Sequence, residues 1–269
     1  MKRLLFLALA GYLLASCSPQ MQVAKKEPDT LRIMSYNIHH ANPPSMDTLT
    51  DINAIAAVIR KQDPDLVALQ EVDMHTWRSG RKNQAKLIAR KLGMNYFFGR
   101  SIDYDGGKYG LAILSRLPIT EEQVHRLPTE LSTQGEPRIL ATVKVQLPDG
   151  RPVRFASVHL DAQQMSLNRR LQMTEVNRIA DADTIPMIIA GDFNATEDTE
   201  VISRLDENFE RTCKPCAPTI PVAKPEKTLD YIGVKPRKSF RIVSHKVIPE
   251  KYASDHLPVV AVVRLDSLK

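Results

Sequence analysis

The sequence predicts an α/β protein folded as one large domain, and three observations carry that reading. Short runs rich in Val, Ile and Leu alternate with longer stretches whose apolar residues keep helical spacing. Of the 269 residues 43% are apolar, enough for one sizeable core. Residues 31–269 contain no internal repeat, low-complexity block or second linker, so they read as a single unit.

The chain opens on Lys2 and Arg3, then an apolar run over residues 4–14 broken by Gly11 and Tyr12, then Leu14-Ala15-Ser16-Cys17. A membrane span needs about 20 apolar residues, and this run has roughly half that, so residues 1–17 read as a secretory signal. Leu-Ala-Ser-Cys resembles a bacterial lipobox, which implies that Cys17 is acylated and becomes the mature N-terminus, with an ordinary cleaved signal as the alternative. Residues 18–30, with Pro, Gln and Lys, then form a flexible tether. The expectation is an exported, membrane-anchored cell-envelope protein acting as a single copy. The net charge of +6 falls to about +4 once Lys2 and Arg3 are removed, which suits an anionic partner without naming one.

Strands are predicted over 31–37, 65–70, 95–99, 110–115, 138–147, 152–160, 186–191, 229–234, 240–248 and 257–265. Helices are predicted over 47–62, where Leu49, Ile52, Ile55, Ala56 and Ile59 share a face, and over 82–92 and 166–181. Asp63-Pro64-Asp65 stops the first helix, and Pro148-Asp149-Gly150 joins two strands as a hairpin. Cys213 and Cys216, in Cys-Lys-Pro-Cys, read as a short disulfide in an exported protein; redox and zinc roles lack the flanking elements and further ligands they need.

Polar residues gather at the ends of these strands. Asn37 and Glu71 follow the first two, His159 and Asp161 the sixth, and Asp192 and Asn194 the seventh. Asp230 opens the eighth, and Asp255-His256 precede the last. Taken singly, Asn37 or Asp192 could cap a turn and Glu71 could be a solvated loop acid. Together they set many desolvation-sensitive groups side by side with no structural benefit, which points to a site. Carboxylate and amide oxygens suit a hard cation, Mg2+ or else Mn2+ or Ca2+, and a histidine supplies proton exchange.

Seven segments resemble, in order, the motifs of the endonuclease/exonuclease/phosphatase superfamily of DNase I-like enzymes. They are Ser35-Tyr36-Asn37-Ile38, Leu69-Gln70-Glu71-Val72, Ala112-Ile113-Leu114-Ser115, Ser157-Val158-His159-Leu160, Gly191-Asp192-Phe193-Asn194, Leu229-Asp230-Tyr231-Ile232 and Ser254-Asp255-His256-Leu257-Pro258-Val259. The resemblance implies a four-layer αββα sandwich of two mixed sheets and a metal-dependent phosphoesterase. It implies that Asn37, Glu71 and Asp255 hold the metal and that Asp192 and Asn194 position the attacking water or stabilise the phosphorus centre. His256, paired with Asp230, would be a general base or phosphate ligand, and His159 would bind phosphate or assist the leaving group.

Glu136-Pro137-Arg138 resembles a segment of many bacterial members, so Arg138 is a candidate phosphate contact, with a solvated strand residue as the alternative. Arg78, Arg81 and Asn83 read as a charged loop, and Leu111 stands where the family commonly has an amide. The favoured substrate is a small or membrane-associated phosphodiester. An extracellular nuclease, a phosphomonoesterase and a lipoprotein that only binds its ligand stay open. His159 in place of the tyrosine usual in abasic-site endonucleases, with Trp77 as the single tryptophan, weighs against DNA repair while leaving nucleic acid open as a partner. The absence of Gly-x-Ser-x-Gly weighs against a carboxylic esterase.

Overall fold

The computed structural model describes residues 29–46 and 48–266. The signal segment, Cys17 and tether residues 18–28 lie outside the described residues. Strand β1 (Thr30–Asn37) runs parallel to β2 (Leu66–Met74), and helix α1 (Ile52–Gln62) makes the crossover that parallel pairing requires. Helix α2 (Gln84–Leu92) leads into the hairpin of β3 (Asn95–Tyr104) and β4 (Gly107–Ser115), and β4 pairs antiparallel with β2. The second half repeats the plan. Strands β5 (Ile119–Arg126) and β6 (Ile139–Gln146) precede β7 (Pro152–His159), and helix α3 (Leu167–Ala182) crosses over to β8 (Met187–Asp192), parallel to β7. Helix α4 (Glu200–Asn208), β9 (Glu210–Arg211) and β10 (Asp230–Lys235) follow, before β11 (Phe240–Val247) and β12 (Val259–Leu265) return to the first sheet beside β1.

The sheet orders are β11-β12-β1-β2-β4-β3 and β5-β6-β7-β8-β10-β9. Each sheet therefore has a central parallel pair flanked by two antiparallel pairs, so the fold carries a topological repeat that the sequence does not show. Residues alternate along each strand between two environments. Ile33, Leu66 and Ile113 face Phe155, Ile188 and Ile232 in a core between the sheets. Met34, Val67 and Leu114 pack under Ile55, Ile59 and Ile88 of α1 and α2. Val158 and Ile189 pack under Met173, Val176 and Ile202 of α3 and α4. Three cores make four layers, the predicted αββα sandwich. Strands buried on both faces read as unbroken apolar runs, which is why most were legible.

Several boundaries move. Residues 48–51 are not helical, and α1 starts at Ile52 because Asp51 caps it, its side chain accepting from the Ala54 N–H at 2.9 Å. Strand β1 begins at Thr30, one residue inside the predicted tether. Strand β2 does not end before Glu71 but runs on to Met74, with a register shift between Leu69 and Val72 that puts Glu71 in a bulge at φ 56°. Strand β5, mostly exposed, and helix α4 were not predicted. The predicted Pro148-Asp149-Gly150 hairpin joins β6 and β7, and Cys213 and Cys216 form the predicted disulfide. No helix among the described residues is long and apolar enough to cross a membrane.

Candidate active site

Sheet register assembles the centre of the site. His159 is the parallel register partner of Asp192, and Asp230 is its antiparallel partner on the other side. Asp192 is thus flanked by both at the end of the second sheet, where β8 faces β1 of the first. Asn37, fully buried at the end of β1, bridges the sheets: its amide nitrogen donates to Asp192 Oδ2 at 3.1 Å and to Glu71 Oε1 at 3.0 Å. The loop before β12 brings in His256, whose Nδ1 lies 2.9 Å from Asp230 Oδ2. Asp192 Oδ2 is the hub, with Nε2 of His159 at 3.6 Å and Nε2 of His256 at 3.7 Å. Both distances exceed a hydrogen bond, so neither ring donates directly to that oxygen.

Proton positions follow from partners. The Arg138 guanidinium has only donors, and it reaches His159 Nδ1 at 3.2 Å, so that nitrogen accepts and the proton sits on Nε2. Burial, then the charges of Arg138 and His256, hold His159 well below the ordinary imidazole range, so it is neutral. His256 behaves oppositely. Burial alone would lower it, but Asp230 and then Asp192 outweigh that and raise it to about 10, leaving an imidazolium near neutrality. Thr219 Oγ1 donates to the same Asp230 oxygen at 2.6 Å and fixes its orientation. Burial lifts Asp192 to about 7, with His256 opposing and Asp230 reinforcing the rise.

Above this centre opens a cleft of about 220 Å³ lined by His39, His40, Glu71, Arg78, Tyr104 and Tyr109 among others. The bulge points Glu71 into it, and no cationic side chain among the described residues is in ion-pair contact with Glu71. Asp255 lies half-buried beside Ser254, whose single hydroxyl proton goes to the Asn37 carbonyl at 2.7 Å rather than to Asp255 Oδ1 at 3.3 Å. Glu71 beside the Asn37 amide, and Asp255 on the loop that Ser254 ties to the Asn37 carbonyl, offer oxygen ligands of the kind a divalent cation takes.

Asn194, at φ 48°, donates its backbone N–H to Asp192 Oδ1 at 2.8 Å and its side-chain amide to the Leu160 carbonyl at 3.0 Å, so it braces the ends of β7 and β8. Arg138 is 7% exposed and pairs with Glu136 at 2.8 Å, so it is a buried member of the site and not a solvated strand residue. Asp161 stands apart as a structural lock, accepting from Gln163 N at 2.8 Å and Asn168 Nδ2 at 3.3 Å.

Sequence reasoning missed His39, His40, Tyr109, Glu136 and Thr219. It also set Arg78 aside as loop charge, whereas Asp73 holds Arg78 at 2.8 Å on the wall of the cleft, stacked 4.6 Å from the Tyr104 ring centre. The adjacent pair His39-His40, two residues past Asn37, was the available signal.

A family model described as "Endonuclease/Exonuclease/phosphatase family" matches residues 34–266. The chain belongs to the endonuclease/exonuclease/phosphatase family. It is 27% identical over 252 residues to the uncharacterized protein YbhP of Escherichia coli strain K12, covering 88% of this chain and 97% of that one. The crystal structure of endonuclease/exonuclease/phosphatase from Beutenbergia cavernae DSM 12333 is similar at TM-score 0.75 and 26% identity, over 89% of this chain and 72% of that one. The Bacteroides thetaiotaomicron VPI-5482 mannosyl-6-phosphatase Bt3783 shares the fold at TM-score 0.69 and 21% identity, over 87% and 99% of the two chains. Members of the endonuclease/exonuclease/phosphatase family hydrolyse phosphoester bonds, generally with a divalent metal.

Proposed function

We propose that the protein is an exported, lipid-anchored, divalent-metal-dependent phosphoesterase that cleaves a phosphodiester in a small or membrane-associated substrate. The observation that carries the chemistry is the Asp192 hub, where a carboxylate lifted to about 7 faces a neutral His159 and a cationic His256. Asn37, Glu71 and Asp255 would hold the cation, Mg2+ or else Mn2+ or Ca2+, whose bound charge polarises the phosphoryl group. In this reading the ionised Asp192, steadied by Asn37 and Asn194, takes a proton from the attacking water. The His256 imidazolium donates to a non-bridging phosphoryl oxygen, and Asp230 with Thr219 keeps it charged and aimed. The Nε2–H of His159 protonates the leaving oxygen, and Arg138 holds its tautomer while adding positive charge.

A nuclease reading has one observation of its own. Trp77 is 66% exposed near the cleft and Arg81 stacks 4.5 Å from its ring centre, a platform of the kind on which bases stack.

The test is hydrolysis of bis-p-nitrophenyl phosphate, p-nitrophenyl phosphate, plasmid DNA and a phospholipid panel, with Mg2+ or Mn2+ or with EDTA. Metal-dependent turnover of a diester, lost in Glu71→Ala and His256→Ala, is expected. EDTA-resistant turnover would overturn the metal dependence, and preference for DNA or a monoester would replace the substrate class. For the anchor, Cys17→Ala is expected to move the protein from the membrane to the soluble fraction of the cell envelope. An unchanged distribution removes the lipid anchor.

A further inference from the structure

The two histidines that follow β1 are unaccounted for by the phosphoesterase chemistry. His39, His40 and Ala41 all take positive φ, at 44°, 44° and 59°, and form one tight turn. The turn is held from several sides. Gln84, fully buried, donates to the His40 carbonyl at 2.6 Å while its oxygen accepts from Asp73 N at 2.9 Å. Asn37 Oδ1 accepts from the His39 N–H at 3.1 Å, which ties the turn to the site.

This scaffold presents both rings to the cleft, with centroids 4.4 Å apart. A ligand atom from each of His39, His40 and Glu71 can be chosen so that all lie within 4.8 Å of one another. His39 engages Nδ1 with the Asn42 carbonyl at 3.0 Å. That nitrogen must donate, so Nε2 carries the lone pair, and Nε2 has no partner among the described residues. Fixing a histidine tautomer by a backbone carbonyl is the arrangement that prepares an imidazole to bind a metal. His40 buries Nδ1 with no hydrogen-bond partner. A packed structural histidine satisfies its ring nitrogens, whereas among the described residues His39 leaves Nε2 over and His40 has no hydrogen-bond partner on either ring nitrogen, beside a carboxylate.

We propose that His39, His40 and Glu71 form a site for a transition-metal dication of the Fe2+ to Zn2+ series. Imidazole nitrogen favours these ions over Mg2+, which prefers oxygen ligands throughout. The site goes beyond the hard-cation reading of Asn37, Glu71 and Asp255: it shares Glu71 with that set but takes its selectivity from two side chains outside it.

The experiment is isothermal titration of metal-free protein with Zn2+, Mn2+ and Mg2+, with visible absorption recorded on adding Co2+ and with His39→Gln and His40→Gln in parallel. Zn2+ is expected to bind at least about 100-fold more tightly than Mg2+, and each substitution to weaken Zn2+ by about 10-fold or more. Circular dichroism checks that the variants fold. Should they not, 15N spectra of the wild-type imidazoles carry the test, with both residues shifting on Zn2+ addition. Equal Zn2+ and Mg2+ affinities, unchanged Zn2+ binding in both folded variants, or unmoved His39 and His40 resonances would overturn the site. Tight Zn2+ binding through these histidines with no phosphoester hydrolysis would uphold it while sinking the catalytic reading.

Discussion

Asp192 and His256 sit side by side with their titrations pushed upward for opposite reasons, burial for the acid and two carboxylates for the base. If Asp192 acts ionised and His256 acts charged, kcat/KM rises as pH climbs through about 7 and falls again through about 10. These apparent values belong to the coupled pair. A cation bound at Glu71 should move the lower limb to lower pH, and an unmoved limb would detach Asp192 from the metal site. Thr219→Val removes the hydroxyl that braces Asp230, so the upper limb should shift and kcat fall by about tenfold, a loss of roughly 1.4 kcal/mol in the barrier. An unchanged profile would reduce Thr219 to packing.

His245 gives a stability prediction of known sign. Burial lowers its folded pKa to about 4, so between that value and the unfolded value near 6.5 the unfolded chain binds the extra proton. Its stabilisation is complete above about 6.5 and is lost as pH falls toward 4. Urea midpoints should follow that slope, and His245→Gln should flatten it.

At the scale of the element, the bulge in β2 turns an ordinary strand into a site. A strand that kept register would put Glu71 on the ladder, whereas the bulge at φ 56° swings its carboxylate into the cleft. An L-residue there carries backbone strain of about 1 to 2 kcal/mol. Glu71→Gly is therefore expected to abolish hydrolysis and to raise the melting temperature relative to Glu71→Ala, a difference that calorimetry reads directly. Asp51 explains the late start of α1, since a side chain that caps the Ala54 N–H outcompetes continuing the apolar spacing back to Leu49. Asp51→Ala should cost about 1 kcal/mol in denaturation. Helix α4 went unread because its nine residues bury only Val201, Ile202 and Leu205, too few to stand out as a period.

Across the whole molecule, the first sheet is built from strands far apart in the sequence. Strands β11 and β12 follow the second sheet in chain order and close β1, so β1 has an open edge until they dock. Truncation after residue 236 removes both strands together with the loop bearing Asp255 and His256. The truncated chain should show no cooperative thermal transition, and a sharp one would mean that the second sheet with its helices is an independent unit.

The sequence by itself determined the fold class, most strands and the polar residues at strand ends, because strands buried on both faces must be apolar and an uncompensated polar group beside them is costly. Asn37, Glu71, His159, Asp192, Asp230 and His256 were all legible in this way. What only the tertiary structure decided was which neighbours each of them meets. Protonation depends on who stands within a few ångströms across two sheets: Arg138 against His159, and Asp230 and Asp192 against His256. Those neighbours are 21, 26 and 64 residues apart in the chain. No local pattern encodes such distances; the pairing register and the packing of the two sheets set them.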